Sequence, residues 1–429
     1  MTQNNIVLGA GAAGVSAAYH LAQKGAPAVV YEKNADWGGL CGNFTINGFR
    51  FDKFVHFTFP KEKYTEDFFE SSSPLYAHPP VSYNYWRGFW LKHPAQTNLF
   101  PLPADEKEKI IKDFKERPRK NAAEIKNYGE WLRVRYGNYF AENFPFKYTR
   151  KYWGREPEDL ETKWVGERMF VPSLKDILDG AKAPNDKNHY YTSFMKYPKK
   201  GGFRSILNKA REGLDIRFNK EAVRIDAAEK TVYFNDGTKE NYKNIISTLP
   251  LPEIVKMPGS APAAVVRAAE NLKCTCGYQI SLGFNKPDIA KHLWFYIYDE
   301  DILPARVYSP NLKSADNAPA GCGSLQAEVF FGSPSKVKPA GEVLNNTLEK
   351  LKAMKIFNDG DLLFSDIRFE KYANVIFDKD IYKNRQTVLD YLDECGIIPA
   401  GRFGKWEYMW THQAFEDGMN AAKRLFKDI

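Results

Sequence analysis

The sequence predicts an α/β fold. Its centre is a doubly wound, Rossmann-type dinucleotide domain that is discontinuous along the chain, interrupted by a helical insert and by an antiparallel-sheet domain. Three observations predict this. A GxGxxG turn stands between a buried strand and a helix at the N-terminus. A second cluster of strand segments, residues 214–250, ends in a buried strand and a proline. Between and beyond these pieces lie first a run with helical patterning, then a run with strand patterning.

The first element is IVLG, a short buried strand, followed at once by Gly9, Gly11 and Gly14. AAGVSAAYHLAQKG has helical periodicity, and PAVVYE is a second strand closed by Glu32. The glycines therefore sit in a strand-to-helix turn of a βαβ unit, the context in which this fingerprint has meaning. Gly9 permits the tight turn, Gly11 lets the backbone approach a pyrophosphate, and Gly14 lets the helix lie close to the strand. The helix N-terminus favours the phosphates through its free N–H groups. Glu32 can accept ribose hydroxyls and would repel a 2′-phosphate, which disfavours NADP at this site. A further pair, Gly38–Gly39, lets the chain pass close to an extended dinucleotide and points to FAD rather than NAD. Lys33 and Leu40, beside Glu32 and the glycine pair, are placed at the cofactor with them.

The segment LDIRFNKEAVRIDAAEKTVYFNDGTKENYKNIISTLP supplies the next strands. AVRID and TVYF are strands, FNDGTK is a hairpin turn at Asp236–Gly237, and NIISTLP is a buried strand that stops at a proline. The FAD domain is expected to comprise residues 1–60, 195–250 and 370–429. Residues 61–194 are expected to be a mainly helical insert, with helices in ADEKEKIIKDFKERPRK and AAEIKNYGEWLRVRYG. Residues 251–369 are expected to form a sheet-containing substrate domain, with strands in YQISLGF, HLWFYIYDE and SLQAEVFFG and a helix in EVLNNTLEKLKAMK.

Bulk properties exclude several classes. A hydrophobic content of 43% supports a real core and argues against disorder. The formal charge of +8 is too mild and too dispersed for nucleic acid, but it fits a cleft that attracts an anionic small molecule. Cys41, Cys274, Cys276, Cys322 and Cys395 include no CxxC pair, and Cys274 and Cys276 share one strand face, so neither zinc nor a disulfide framework is expected. No apolar run of about 18 residues suggests a membrane span. No basic region precedes the first apolar stretch, so no signal peptide is expected, and the scattered cysteines read as reduced thiols of a cytoplasmic protein.

Further segments resemble UDP-galactopyranose mutases, flavoproteins of the superfamily that also contains amine and protoporphyrinogen oxidases. GFRFDKFVHFTF resembles the stretch that lays a histidine against the flavin, here His56. GFWLKHPAQTNLFPLP resembles the segment holding the nucleotide base, with Gln96 at its glutamine. KYWGREPEDLETKWVGERMFVPSL ends in W-x-G-E-R and puts Arg168 at the active-site arginine. YPKKGGFRSI resembles the glycine turn back into the flavin domain, and ILPARVYSPNLKS carries a second arginine, Arg306. GRFGKWEYMWTHQ resembles the closing flavin motif, matching Arg402, Tyr408 and Gln413. Val223 matches the residue that offers its backbone to the adenine. The resemblance runs nearly end to end.

The resemblance implies an enzyme that uses FAD in its reduced form. N5 of the flavin would act on a nucleotide-linked sugar and isomerise its ring without net redox change, with electrons from an external reductant such as NAD(P)H or a reductase. It implies catalytic roles for His56, Arg168, Arg306 and Tyr408, and substrate contacts from Gln96, Arg168, Arg306 and Tyr408. Guanidinium forks match diphosphate oxygens. Arg168 could instead pair with a carboxylate such as Glu167, and Arg402 could simply cap the final strand. Trp153 and Trp164 read as structural.

The sequence departs from the mutase pattern at Asn311 and Asn374, where tyrosines are expected, at His93 and Ala95, and at His412. Tyr308 or Tyr372 are candidate substitutes for the missing tyrosines. The rival reading is an oxidase or desaturase of the same superfamily, which would need an apolar or amine pocket in place of paired arginines. A non-catalytic flavin-binding protein is a third reading. In the C-terminal stretch, GRFG is expected to end the last strand, KWEY to present Tyr408, and THQAFEDGMNAAKRLF to form a closing helix whose N-terminus faces the flavin.

Overall fold

The strand Asn4–Leu8 runs directly into Gly9, and the helix Ala12–Gln23 follows. The helix buries Ala13, Ala17 and Ala18, which are small enough to let it lie close on the sheet. At Gly14 the approach is closest: a Cβ would stand 1.9 Å from the Gly9 carbonyl oxygen. The structure is a computed structural model that describes residues 4–426 except 186, 260 and 290, and the side chain of Glu167 lies outside the described set.

The first sheet has the order Ala222–Asp226, Thr231–Phe234, Lys239–Ser247, Asn4–Leu8, Ala28–Tyr31, Ile216–Arg217, and Ile397–Pro399 also pairs with Lys239–Ser247. Asn4–Leu8 is parallel to both of its neighbours, whereas Ala222–Asp226, Thr231–Phe234 and Lys239–Ser247 form an antiparallel meander. Segments from the beginning, middle and end of the chain thus share one sheet. The fold is mixed α/β, as the sequence predicts.

The second sheet has the order Leu362–Glu370, Cys276–Phe284, Gly323–Phe331, Arg306–Tyr308, Trp294–Ile297, Tyr83–Trp86, Phe89–Lys92. Neighbours are antiparallel except Trp294–Ile297 and Tyr83–Trp86, which are parallel. Gly323–Phe331 is buried along its whole length. Side chains alternate between faces with a period of two. On one face Leu325, Ala327 and Val329 join Ile280, Leu282 and residues of the helix Ala340–Ala353 in an apolar core. On the other face Ser324, Gln326 and Glu328 stand beside Gln279 and Ser281, all fully buried and polar. This polar face meets the loop that carries His56.

Several local expectations differ from the structure. The segment 61–194, expected to be mainly helical, also contains the strands Leu75–His78, Tyr83–Trp86 and Phe89–Lys92, and the last two belong to the second sheet. The helix in 104–120 ends at Glu116, before Pro118, as the bias against helix before proline requires. In 122–137 the helix begins only at Tyr128, because Asn127 caps it by accepting from the Glu130 N–H at 2.8 Å. The last strand is Ile397–Pro399. GRFG does not end it but forms the helical turn Gly401–Gly404, started by Gly401 at φ +79°.

The closing helix Thr411–Arg424 packs against Ala12–Gln23. A Cβ on Gly418 would lie 2.1 Å from the Ala13 carbonyl oxygen, so glycine sets the approach. Asp417 accepts the Gly401 N–H at 2.7 Å and pairs with Lys405, tying this helix to the turn. No helix among the described residues is long and apolar enough to cross a membrane. The five cysteines are free thiols.

Candidate active site

The fingerprint turn is built around backbone groups. Gly9 donates to the Tyr31 carbonyl at 2.8 Å, and Gly38 donates to the Ala10 carbonyl at 2.8 Å. Glu32 is buried: one oxygen accepts the Ala10 N–H at 2.8 Å, and the other accepts from Asn34. Its carboxylate therefore holds the glycine turn in place, while Oε2, which accepts only the Ala10 N–H, keeps a lone pair for a further donor. Lys33 is exposed beside it, as is Gly39.

Gly11 distinguishes ligand from packing. A Cβ there would meet only the Gly39 Cα, at 4.0 Å. Protein packing does not demand glycine at this position, whereas close approach of a ligand does. No side chain caps the helix that starts after Gly11, and its first turn contains no acid. Open N–H groups in a charge-free turn suit a pyrophosphate. Val223 is half exposed and is the extra residue where the pairing with Thr231–Phe234 shifts between Ala222 and Arg224. Such a residue is left out of the ladder, so its backbone groups are available to a ligand.

Beyond the turn lies a cleft with two lobes. The first is lined by Leu40, His56, Asn374, Arg402 and Thr411, the second by His93, Gln96, Trp164, Arg168 and His189. Tyr152, Tyr191, Tyr296, Arg306, Tyr408 and Trp410 line both. The structure thus brings His56, Gln96, Arg168, Arg306, Arg402 and Tyr408 to one cleft, although they are up to 352 residues apart in sequence (from 56 to 408).

His56 stacks on Phe203 with ring centroids 4.8 Å apart. Burial pushes its pKa down to about 4, against the opposing pull of Asp52, so the imidazole is neutral at pH 7. Its loop is held by the polar face of the second sheet: Gln279 Oε1 accepts the Phe54 N–H at 2.8 Å, and Glu328 Oε1 accepts the Val55 N–H at 2.7 Å. Phe54 has φ +63°, a conformation that side chains rarely adopt and that these two acceptors maintain.

Arg168 Cζ lies 4.6 Å from the ring centroids of both Tyr408 and Trp410. Its Nη1 donates to the Trp164 carbonyl at 2.8 Å and its Nη2 to the Tyr408 carbonyl at 3.2 Å, while its Nε is buried without a partner. Among the described residues no carboxylate pairs with it. Glu167, the alternative partner, lies outside the described side chains. Arg306 differs: its Nη2 is 2.5 Å from Glu328 Oε2, and Glu328 is fully buried. Arg402 donates to Asn374 Oδ1 at 2.8 Å, Cζ lies 5.1 Å from the Tyr408 ring, and its Nε is also buried without a partner. It turns toward the cleft and does not cap the final strand. Two orphaned guanidinium N–H groups beside one cleft are what a site for an anionic, hydrogen-bonding ligand presents.

The departures from the mutase pattern fall unequally. Asn374 is in the cleft, where its Oδ1 accepts from both Tyr152 and Arg402. Asn311 is outside it, bound to Ser324 and the Pro287 carbonyl. Tyr308 and Tyr372 do not substitute: the Tyr308 hydroxyl is taken by Gln326 in the core, and the Tyr372 hydroxyl by Glu253 at 2.7 Å. His412 is buried against Phe59 and Trp410, with its pKa pushed down to about 4 by burial. Gln413 lines neither lobe; its Oε1 accepts the Trp410 N–H at 2.9 Å and caps the closing helix. Gln96 donates to the Phe170 carbonyl at 3.1 Å.

Sequence reasoning named Tyr408 but missed Tyr152, Tyr191 and Tyr296 of the cleft; Trp153 and Trp164, read as structural, also line the second lobe. It also missed Glu328 and Gln279. Their signal was present: YQIS and SLQAE alternate polar and apolar residues in strands that are buried on both faces. Buried polar residues in that pattern mark a polar interior surface.

The fold and cleft define a class: a flavoprotein with a split dinucleotide domain, whose second sheet walls a cleft in front of the fingerprint. The chain belongs to the family of flavin containing amine oxidoreductases, whose profile matches residues 12–425. Membership implies FAD as the cofactor, and the open Gly11 cradle and the uncapped helix fit it. Among solved structures, the chain is similar to a reduced UDP-galactopyranose mutase, with TM-score 0.92, 23% identity, and coverage of 100% of this chain and 96% of that one. It is also similar to cyclohexylamine oxidase from Brevibacterium oxydans IH-35A, with TM-score 0.70, 15% identity and coverage of 100% and 99%. A putrescine oxidase gives TM-score 0.68, 14% identity and coverage of 99% of both chains.

Proposed function

We propose that this protein is an FAD-dependent enzyme acting on a nucleotide-linked sugar, in the manner of UDP-galactopyranose mutase. The observation that carries the reading is Arg168, a guanidinium in the cleft that lies 4.6 Å from the ring centroids of both Tyr408 and Trp410 and has no carboxylate partner among the described residues. The two rings and the Trp164 and Tyr408 carbonyls hold its position, and its Nε has no protein partner, which leaves hydrogen-bonding capacity for a phosphate oxygen. Arg306 and Arg402 stand on the same cleft, so a diphosphate would be held by several fixed cations.

Gly9, Gly11, Gly14, Glu32, Gly38, Gly39 and the Val223 backbone would hold the FAD, with Lys33, Leu40 and His56 beside it. The flavin, reduced by an external donor, supplies a nucleophilic ring nitrogen. The protein's own work is positioning and charge stabilisation. Arg168 and Arg306 keep a departing diphosphate bound, so the sugar recloses before it escapes. Gln96, on the far lobe, orients the nucleotide end. Tyr408 and Trp410 exclude water from the shared wall. An amine substrate is disfavoured, because the guanidinium groups on that wall repel a cation.

Calorimetry with UDP is the first test, and the reading requires binding. The second is incubation of reduced enzyme with UDP- and dTDP-linked hexoses, with chromatography for the other ring form. If neither binding nor ring isomers are found, the mutase reading is wrong. Oxygen consumption with an amine would assign the protein to the oxidases of its family.

A further inference from the structure

Asp52 and Lys313 form an ion pair sealed from solvent. Their side chains are 1% and 0% exposed, and Oδ2 and Nζ are 2.6 Å apart. Asp52 ends the strand Phe49–Asp52, and Lys313 ends the turn Pro310–Lys313 that follows the Arg306 strand. Removing two charges from water is costly, and a well-packed apolar pair often holds two bodies together at least as well. Local partners reduce the cost. The Tyr197 hydroxyl and the Phe203 N–H also donate to Asp52, at 2.8 and 2.9 Å. The ammonium lies 4.4 Å from the Tyr197 ring centroid and 4.8 Å from that of Tyr308. Cohesion alone still does not account for a buried pair in this position.

The pair acts on His56. Phe203, whose N–H is fixed by Asp52 Oδ1, is the ring on which the His56 imidazole lies, at 4.8 Å and 25°. The charges facing that imidazole are Asp52, which favours a proton on it, and Lys313 and Arg402, which oppose one. We propose that Lys313 is a positioning residue: it holds Asp52 in the orientation that fixes Phe203 and therefore the His56 ring, and it cancels the carboxylate's field at that imidazole. The proposal rests on the reading of His56 as the histidine beside the flavin. Without Lys313, the ring would face an uncompensated buried carboxylate and would bind a proton more readily.

The test uses the holoenzyme labelled with ring-15N histidine, with His56→Asn to assign the signal. Two quantities are read in native protein, Lys313→Met and Asp52→Asn/Lys313→Met: the His56 titration and the flavin midpoint potential. In Lys313→Met the proton affinity of His56 should rise at least about tenfold. In the double variant, where both charges are gone, it should return to within about threefold of native, and the potential should return with it. A role confined to packing would leave the double variant as perturbed as the single one. That outcome, or an unchanged titration in Lys313→Met, overturns the proposal. Should Lys313→Met fail to fold, Lys313→Gln keeps a donor toward Asp52 and carries the same expectation. A shifted His56 titration with an unmoved flavin potential leaves the role of Lys313 standing and overturns the placement of His56 beside the flavin.

Discussion

Arg306 reaches into the cleft with its charge already answered: Nη2 and Nε stand 2.5 and 2.7 Å from one oxygen of Glu328, whose other oxygen holds the Val55 N–H. One buried carboxylate thus braces both the substrate-side arginine and the loop of His56. Glu328→Gln keeps an oxygen for Val55 and removes the charge. It should tighten binding of UDP roughly three- to tenfold, because Arg306 would meet the diphosphate unneutralised. Calorimetry on the FAD-loaded protein checks this; weaker binding would show that bracing of Arg306 outweighs its neutralisation.

Arg168 depends on shape as much as on charge. Arg168→Lys keeps the cation but loses the planar guanidinium that lies over the Tyr408 and Trp410 rings. The dissociation constant for UDP should rise roughly ten- to hundredfold, about 1.5–3 kcal/mol. FAD content, read from absorbance, should be unchanged. Flavin loss would mean that this arginine supports the fold or the cofactor.

Gly11 and Gly14 should fail in different ways. Gly14→Ala puts a methyl 1.9 Å from the Gly9 carbonyl oxygen, so the helix must move off the sheet and the melting temperature should fall sharply. Gly11→Ala meets nothing closer than 4.0 Å in the protein, so the apoprotein should melt as native does while FAD binding weakens at least tenfold. Thermal melts of apo and FAD-loaded protein separate the two. Equal apoprotein losses would contradict the reading of Gly11.

Acid should destabilise the protein through its buried histidines. His56 and His93 have their pKa pushed down to about 4 by burial, from 6.5 in the unfolded chain. Between those values the unfolded state binds more protons than the native state, so stability increases with pH. Their contribution is fully present above about pH 6.5 and is lost as pH falls toward about 4, on the order of a few kcal/mol for the two together. Urea titrations at pH 7, 5.5 and 4.5 should show a falling midpoint. Replacing His93 with Gln should flatten that dependence.

The sequence by itself determined the dinucleotide domain, because its determinants are local. The Gly9–Gly14 turn, the acid closing the second strand and the later glycine pair act through backbone geometry that a few neighbouring residues set. Strand and helix patterning likewise gave the strands Cys276–Phe284, Trp294–Ile297 and Gly323–Phe331 and the helix Ala340–Ala353, but not the strand Leu362–Glu370 or the helix Ile381–Glu394. The ordered arginine motifs also named residues that share one cleft.

Only the tertiary structure decided what those side chains touch. Tyr308 and Asn311 are neighbours in sequence to Arg306, yet one is sealed in the core and the other lies outside the cleft, because a short strand and a turn point them apart. Gln413 belongs to a flavin-like motif, yet its side chain is spent on a helix cap. Glu328 and Lys313 drew no functional reading from the sequence, although Lys313 lies in the segment that carries Arg306. Their importance arises from partners brought together by folding, the Val55 N–H to Glu328 across 273 residues and Asp52 to Lys313 across 261, and a buried charge takes its meaning from the partner that folding places beside it.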